Sequence, residues 1–227
     1  VRWNVMTSTI ENLDVEGAGT FFVSTIFADP NVDNRIYVGS NGTGRVVRID
    51  NADQGLTVTG ENISNFSGTI SSITVEDGDA DHIMITISNY GNPNSIMETK
   101  DGGQTWVSQE GLAVANNLPD VPVRWGIFNP DNSEQAMIAT EVGVWTTEKL
   151  DGENTIWYPP VPGIGTPLVR SDMLQTRVSD RVVGVWTHGR GIFTTDVWAD
   201  PVARMQADGA GYVGWESLFS GEMSYNP

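Results

Sequence analysis

Short phrases of similar sequence recur along this 227-residue chain at a nearly constant interval. Each phrase ends in strand-forming residues, and its second apolar position is occupied in turn by Val47, Met97, Trp145 and Phe193. Successive positions are 50, 48 and 48 residues apart. A period of about 40–50 residues accommodates one supersecondary unit, so the chain is predicted to consist of repeated units that bury their apolar faces against one another.

Each repeat carries the signals of four strands. In the first repeat an apolar run at 21–27 ends before Asp29-Pro30 and is predicted to be a buried strand, and three further runs follow at 35–39, 44–49 and 56–59. The connections are rich in Gly, Asn, Asp and Pro, which form tight turns. No stretch has sustained helical periodicity. The pattern predicts an all-β fold with almost no helix, a β-propeller of four-stranded antiparallel blades with about four blades in this fragment.

One turn is specified in detail by the octapeptide Thr-Lys-Asp-Gly-Gly-Gln-Thr-Trp, which begins at Thr99. Asp101 is expected to accept a hydrogen bond from the backbone two residues further on, as in an Asx turn. Gly103 allows the positive φ of a tight hairpin. Thr105, like Thr99, suits a strand end, and Trp106 places a large apolar ring back on the sheet.

The octapeptide resembles an Asp-box, or BNR repeat, the hairpin of sialidases, xyloglucanase-type glycosidases and sortilin-like receptors. Degenerate versions at 51–58 and 151–157 keep the same register. The resemblance implies the C-terminal blades of such a propeller. It also implies an architectural role for these hairpins rather than a catalytic one.

The repeat divides the chain into six segments. They are an outer strand of a preceding blade at 1–14, blades at 15–66, 67–117 (with the intact Asp-box), 118–165 and 166–199, and a linker with the start of another module at 200–227. The last segment resembles the first strands of a PKD-like, immunoglobulin-like β-sandwich, and an edge strand is the alternative. The expected partners are the remaining blades or domains of the same protein, although dimerisation or a small ring would also close the structure.

Composition limits the classes of function. The formal net charge is −17 and there is no cysteine, which argues against nucleic acid or anionic membranes as partners and excludes a disulfide framework. No apolar stretch reaches the roughly 18 residues of a membrane span. The whole pattern resembles secreted multidomain surface proteins of Bacteroidetes-type bacteria, which implies type IX secretion and an extracellular or cell-surface location.

Two clusters of polar residues are candidate sites. Asp77, Asp79 and Asp81 alternate as calcium ligands do, but the repeat also places them on an inter-strand turn, which explains them without an ion. No other cofactor is expected. His188 and Arg190 could serve as a general base and an anion anchor. The alternative is a hairpin turn, since their phrase resembles the Thr-His-Gly-Arg-Gly turn of closing blades in secreted propellers.

Eight tryptophans could stack against sugars. Four of them, Trp106, Trp145, Trp157 and Trp186, recur in register and are therefore predicted to pack between strands. Trp125 breaks the register and is left as a candidate binding residue.

Two functions remain open. One is a non-catalytic propeller of a large secreted or cell-surface protein that binds glycan or protein partners in adhesion or as a scaffold. The alternative is a fragment of a BNR-repeat glycoside hydrolase acting on polysaccharide. No catalytic residue is identifiable. Resemblance to sialidases implies an arginine triad. The chain offers Arg124, Arg170 and Arg190, but the residues around them carry no motif that marks them as this triad. Resemblance to xyloglucanases implies two opposed carboxylates. The chain has 29 acidic residues, and the sequence does not show which two of them would form this pair.

Overall fold

In a computed structural model of the chain, residues 2–92, 94–114, 117–161 and 165–198 are described, together with the backbone of Glu216–Ser217. These residues form five β-sheets. The one helical element among them is a single 3-10 turn, η1, at Gly152–Asn154. The predicted all-β fold is confirmed.

The N-terminal residues form a hairpin of their own. Its strands, β1 (Arg2–Asn4) and β2 (Thr9–Glu11), pair with each other in antiparallel fashion. The Asn4 side-chain oxygen accepts hydrogen bonds from the backbone N–H groups of Met6 and Thr7, which closes the turn. The structure therefore differs from the single outer strand expected in this region, because a local Asn turn folds the segment back on itself.

Sheet 1 follows and has five strands. In chain order they are β3 (Asp14–Glu16), β4 (Val23–Ala28), β5 (Ile36–Ser40), β6 (Val46–Ile49) and β7 (Thr57–Asn62). Strands β4 to β7 form an antiparallel meander with β4 at the inner edge, and β3 adds to β7 in parallel at the outer edge.

The next three sheets repeat this meander. Sheet 2 contains β8 (Ile70–Glu76), β9 (Asp79–Ile87), β10 (Ile96–Thr99) and β11 (Val107–Ser108). Sheet 3 contains β12 (Val123–Asn129), β13 (Asn132–Thr140) and β14 (Gly143–Thr147), with an isolated bridge between Thr146 and Tyr158 at its outer edge. Sheet 4 contains β15 (Ser171–Arg177), β16 (Val182–Thr187), β17 (Gly191–Thr195) and β18 (Glu216–Ser217).

Strand β18 is the only part of 200–227 that the structure describes, and it pairs with β17. Apart from this strand, the segment predicted to be a linker and the start of a PKD-like module, or alternatively an edge strand, lies outside the described residues.

The cores lie between successive sheets, because side chains alternate across each middle strand. On β9, Ile83 and Ile85 pack towards sheet 1, whereas Met84 packs towards sheet 3. On β13, Ile138 packs towards sheet 2 and Met137 towards sheet 4. The middle strands are therefore buried on both faces, which explains their continuous apolar runs.

Strand β4 is an exception, and the prediction that it is buried is wrong. Phe22 is 84% exposed, and Val23 and Ile26 are also exposed. Val15, Ala18 and Phe21 pack in the core cluster on the outward face of sheet 1. No further described sheet covers the part of this face that carries Val23 and Ile26.

The four innermost strands share a bulge near their first residue. In β4, β8, β12 and β15 the pairing register shifts there, which leaves Ser24, Ser71, Arg124 and Asp172 out of the ladder. The end of the sheets where these strands begin is called the bulge end below. Because the strands of each meander alternate in direction, the Asp-box-like segments lie at the opposite end.

Candidate functional site

The hairpin that contains Asp101 is closed by its own side chains. The Asp101 carboxylate accepts the Thr105 backbone N–H at 2.8 Å and the hydroxyls of Thr105 and Thr99 at 2.6 and 2.7 Å. Gly103 donates its N–H to the Thr99 hydroxyl and not to Asp101, so the backbone bond to Asp101 spans four residues rather than the expected two. Hydrogen bonds from Thr105 and Thr99 lower the pKa of Asp101 to about 2. This carboxylate is occupied in shaping the turn.

Tryptophans in register make the same contact between sheets. The indole N–H of Trp106 donates to the Ile63 carbonyl at 2.8 Å, and that of Trp157 donates to the Gln109 carbonyl at 2.8 Å. Trp125, the irregular residue, is half-buried and packs on the apolar cluster between sheets 3 and 4. Trp186 instead lies at the surface of sheet 4, 37% exposed.

The acidic turn at 77–81 comprises the tight turn between β8 and β9 and the first three residues of β9. Asp79 accepts the Asp81 backbone N–H at 3.0 Å, and the Gly78 N–H donates to the Asn31 side chain. Within the described part of the chain, no three His, Cys, Asp or Glu side chains are grouped so that they could hold a metal ion. Asp77 lies in the turn and Asp79 and Asp81 lie in the first residues of β9, and the structure does not bring the three side chains together as calcium ligands.

A buried histidine that the sequence reading missed lies between two carboxylates. His82 pairs through Nδ1 with Glu76 and through Nε2 with Glu98 at 2.6 Å. Its ring packs on Phe128 of sheet 3, with centroids 4.5 Å apart. Burial alone would lower the pKa of His82, but the hydrogen bonds to Glu98 and Glu76 outweigh it and raise the pKa. The arrangement stabilises the contact between sheets 2 and 3.

A second charged group lies at the bulge end and spans sheets 3 and 4. Arg124, the bulge residue of β12, donates from Nε and Nη2 to Oε1 of Glu141 in the β13–β14 turn. Arg170 donates from Nε to Oδ1 of Asp172, the bulge residue of β15, at 2.6 Å. His188 Nδ1 lies 3.5 Å from Oδ2 of the same Asp172. We call these five residues the axial charge cluster.

The two halves of the axial charge cluster lie within electrostatic reach of each other. The hydrogen bond with Asp172 raises the pKa of Arg170, although desolvation opposes the effect, and the charges of Asp172 and Glu141 contribute to the increase. Arg124 and Arg170, two of the three arginines that the sequence made available, both lie in this cluster. Arg190 is exposed in the turn that carries His188.

Glu141 and Asp172 were missed because neither stands in a recognisable motif. The signal that could have found Asp172 is its alignment with Ser24, Ser71 and Arg124 near the start of each innermost strand. Ion-paired side chains that remain partly exposed offer both donors and acceptors to a polar ligand. The cluster can therefore form hydrogen bonds with a polar ligand.

Comparison with known proteins shows the fold. No protein-family model matches the chain, and no curated protein is detectably similar. Similar solved structures include an ancestral GH74 enzyme, with 14% identity and a TM-score of 0.58 over 91% of this chain and 25% of that one. They also include the GH74 xyloglucanase from Xanthomonas campestris, with 14% identity and a TM-score of 0.55 over 81% of this chain and 30% of that one.

GH74 enzymes are β-propeller glycoside hydrolases, so the chain has a β-propeller fold. It spans about a quarter of the first of these structures. None of the described helical segments is long and apolar enough to cross a membrane.

Proposed function

We propose that this chain is a segment of a propeller glycoside hydrolase that acts on polysaccharide, and that the segment supplies part of the sugar-binding surface. The observation that carries the proposal is the axial charge cluster. It gathers two arginines, two carboxylates and a histidine at one end of sheets 3 and 4, within a protein of net charge −17. The likeness to a xyloglucanase supports a polysaccharide as the ligand.

The cluster is suited to binding more than to proton transfer. Glycoside hydrolysis commonly needs one protonated carboxyl group as acid and one carboxylate as base or nucleophile. Glu141 and Asp172 are each ion-paired with an arginine of the segment, Glu141 with Arg124 and Asp172 with Arg170. The segment therefore contributes groups that hold the sugar, and the general acid is supplied from another part of the protein.

The second candidate is a non-catalytic propeller of a large secreted or cell-surface protein. The same observation favours it, because an ion-paired cluster can bind glycan without cleaving it. In this case PKD-like modules would follow as spacers, export would run through the type IX pathway, and the partner would be a glycan or a surface protein. An extracellular location is part of both proposals.

Incubation of the full-length protein with xyloglucan tests the proposal. Release of reducing ends, together with binding in affinity electrophoresis, supports the hydrolase. Binding without product supports the non-catalytic glycan binder. Asp77→Ser, at the opposite end of the sheets, is the matched control and leaves both readouts unchanged. Absence of both binding and cleavage with neutral glycans such as xyloglucan and with the acidic glycan polygalacturonate would overturn the hydrolase and the glycan binder.

A further inference from the structure

We propose that Arg124 and Asp172 contact the polysaccharide directly, at positions that sheets 1 and 2 use for a structural hydrogen bond. The inference rests on the proposed function and identifies which residues of the surface touch the sugar. It starts from the bulges of the innermost strands, which re-aim one side chain in each sheet.

In sheets 1 and 2 the bulge residue links one sheet to the next. The Ser24 hydroxyl donates to the Ile70 carbonyl at 2.6 Å, and the Ser71 hydroxyl donates to the Val123 carbonyl at 2.6 Å. Each acceptor directly precedes the bulge residue of the next sheet. The two bonds are therefore equivalent, and a serine is sufficient for this structural task.

In sheets 3 and 4 the equivalent residues are charged, and each forms an ion pair within its own sheet. Arg124 pairs with Glu141 inside sheet 3, and Asp172 pairs with Arg170, which directly precedes β15. The side chains of Arg124 and Asp172 keep 25% and 36% of their surface exposed. Partly exposed ion pairs contribute little to stability, so the fold alone does not account for these two residues.

The unused atoms of the two side chains match a neutral sugar. Arg124 bonds through Nε and Nη2, which leaves Nη1 as a donor with no partner among the described hydrogen bonds. Asp172 uses Oδ1 for Arg170, and among the residues that the structure describes the polar group recorded near its Oδ2 is His188 Nδ1, at 3.5 Å. One donor and one acceptor are what the hydroxyl groups of a saccharide require. Each arginine already holds a carboxylate, so a neutral glycan fits better than an acidic one.

Serine substitutions test the inference, because serine is what sheets 1 and 2 carry at this position. In the full-length protein, Arg124→Ser and Asp172→Ser should each weaken binding of xyloglucan at least about tenfold in affinity electrophoresis, which corresponds to the loss of one charge-assisted contact. The melting temperature should change by no more than about 2 °C. Asp172→Asn keeps the shape of the side chain, so a loss of binding in this variant is not caused by misfolding. It should also bind xyloglucan more weakly than the unaltered protein.

Ser24→Ala is the opposite control. It removes the inter-sheet hydrogen bond of sheet 1, so it should lower the melting temperature and leave affinity within about twofold. If the unaltered protein binds xyloglucan and all three variants at Arg124 and Asp172 bind as well as it does, the inference is wrong and the proposed function stands. If the unaltered protein binds no neutral glycan but binds polygalacturonate, the neutral-sugar assignment is wrong. If it binds neither, the proposed function fails together with the inference.

Discussion

Replacing Trp157 by Phe measures what the indole contact between sheets 2 and 3 contributes. Trp157 is 2% exposed, and its N–H donates to the buried Gln109 carbonyl at 2.8 Å. Phe keeps an aromatic ring but removes the donor, so the carbonyl loses this partner inside the protein. Leaving a buried polar group without a partner costs about 1–3 kcal/mol. A void of roughly 40 Å³ adds about 1 kcal/mol. The expected loss in the free energy of unfolding is about 2–4 kcal/mol.

Trp145 offers a matched control in the same apolar cluster. It is also buried, but its Nε1 has no hydrogen-bond partner among the described residues. Trp145→Phe leaves a similar void but removes a buried donor that has no partner, so it should cost no more than about 1 kcal/mol. Urea denaturation followed by circular dichroism gives both values. Equal losses for Trp145→Phe and Trp157→Phe would refute the claim that the indole hydrogen bond stabilises the contact between sheets.

Three further predictions concern the turns and the buried histidine. Because the pKa of Asp101 falls from 3.8 to about 2 on folding, its contribution is present above pH 3.8 and lost as pH falls towards 2; the difference in melting temperature between the wild type and Asp101→Asn should shrink over that range. The pKa of His82 is raised above 6.5, so its stabilisation is complete below pH 6.5 and lost as pH rises through the folded pKa; His82→Gln should flatten this decline in thermal scans. At Gly111, with φ +70°, a Cβ would lie 1.9 Å from the Thr155 carbonyl oxygen, whereas at Gly78, with φ +96°, it would meet nothing within 4 Å. In urea unfolding, Gly111→Ala should therefore lower the free energy of unfolding by more than about 3 kcal/mol, and Gly78→Ala by about 1 kcal/mol.

The strand pattern and the period could be predicted from the sequence because both reflect local chemistry. Apolar runs that are buried on both faces, separated by Gly- and Asn-rich turns, mark strands such as β9 and β13 directly. Burial of β4 was mispredicted, because an apolar run shows what a strand can bury and not whether another sheet covers it. Val23 and Ile26 are exposed for this reason.

The axial charge cluster could not be predicted because it depends on how the strands of sheets 3 and 4 pair. Arg124 finds Glu141 17 residues away, and Arg170 and His188 meet on Asp172 only once β15 and the β16–β17 turn have formed. No spacing in the sequence marks these pairs. The bulge that re-aims Arg124 and Asp172 is likewise a property of strand pairing, which appears in the sequence only when the four repeats are aligned on their innermost strands.

Hydrogen–deuterium exchange of the full-length protein with and without xyloglucan oligosaccharide tests the central claim most directly. The account predicts that the ligand slows backbone exchange at the bulge end, in peptides covering 123–125, 140–143, 169–172 and 187–191. It predicts no change at the opposite end, in the hairpin at 99–106 or the turn at 77–81. Slowed exchange confined to that opposite end, or no change anywhere at saturating ligand, would contradict it.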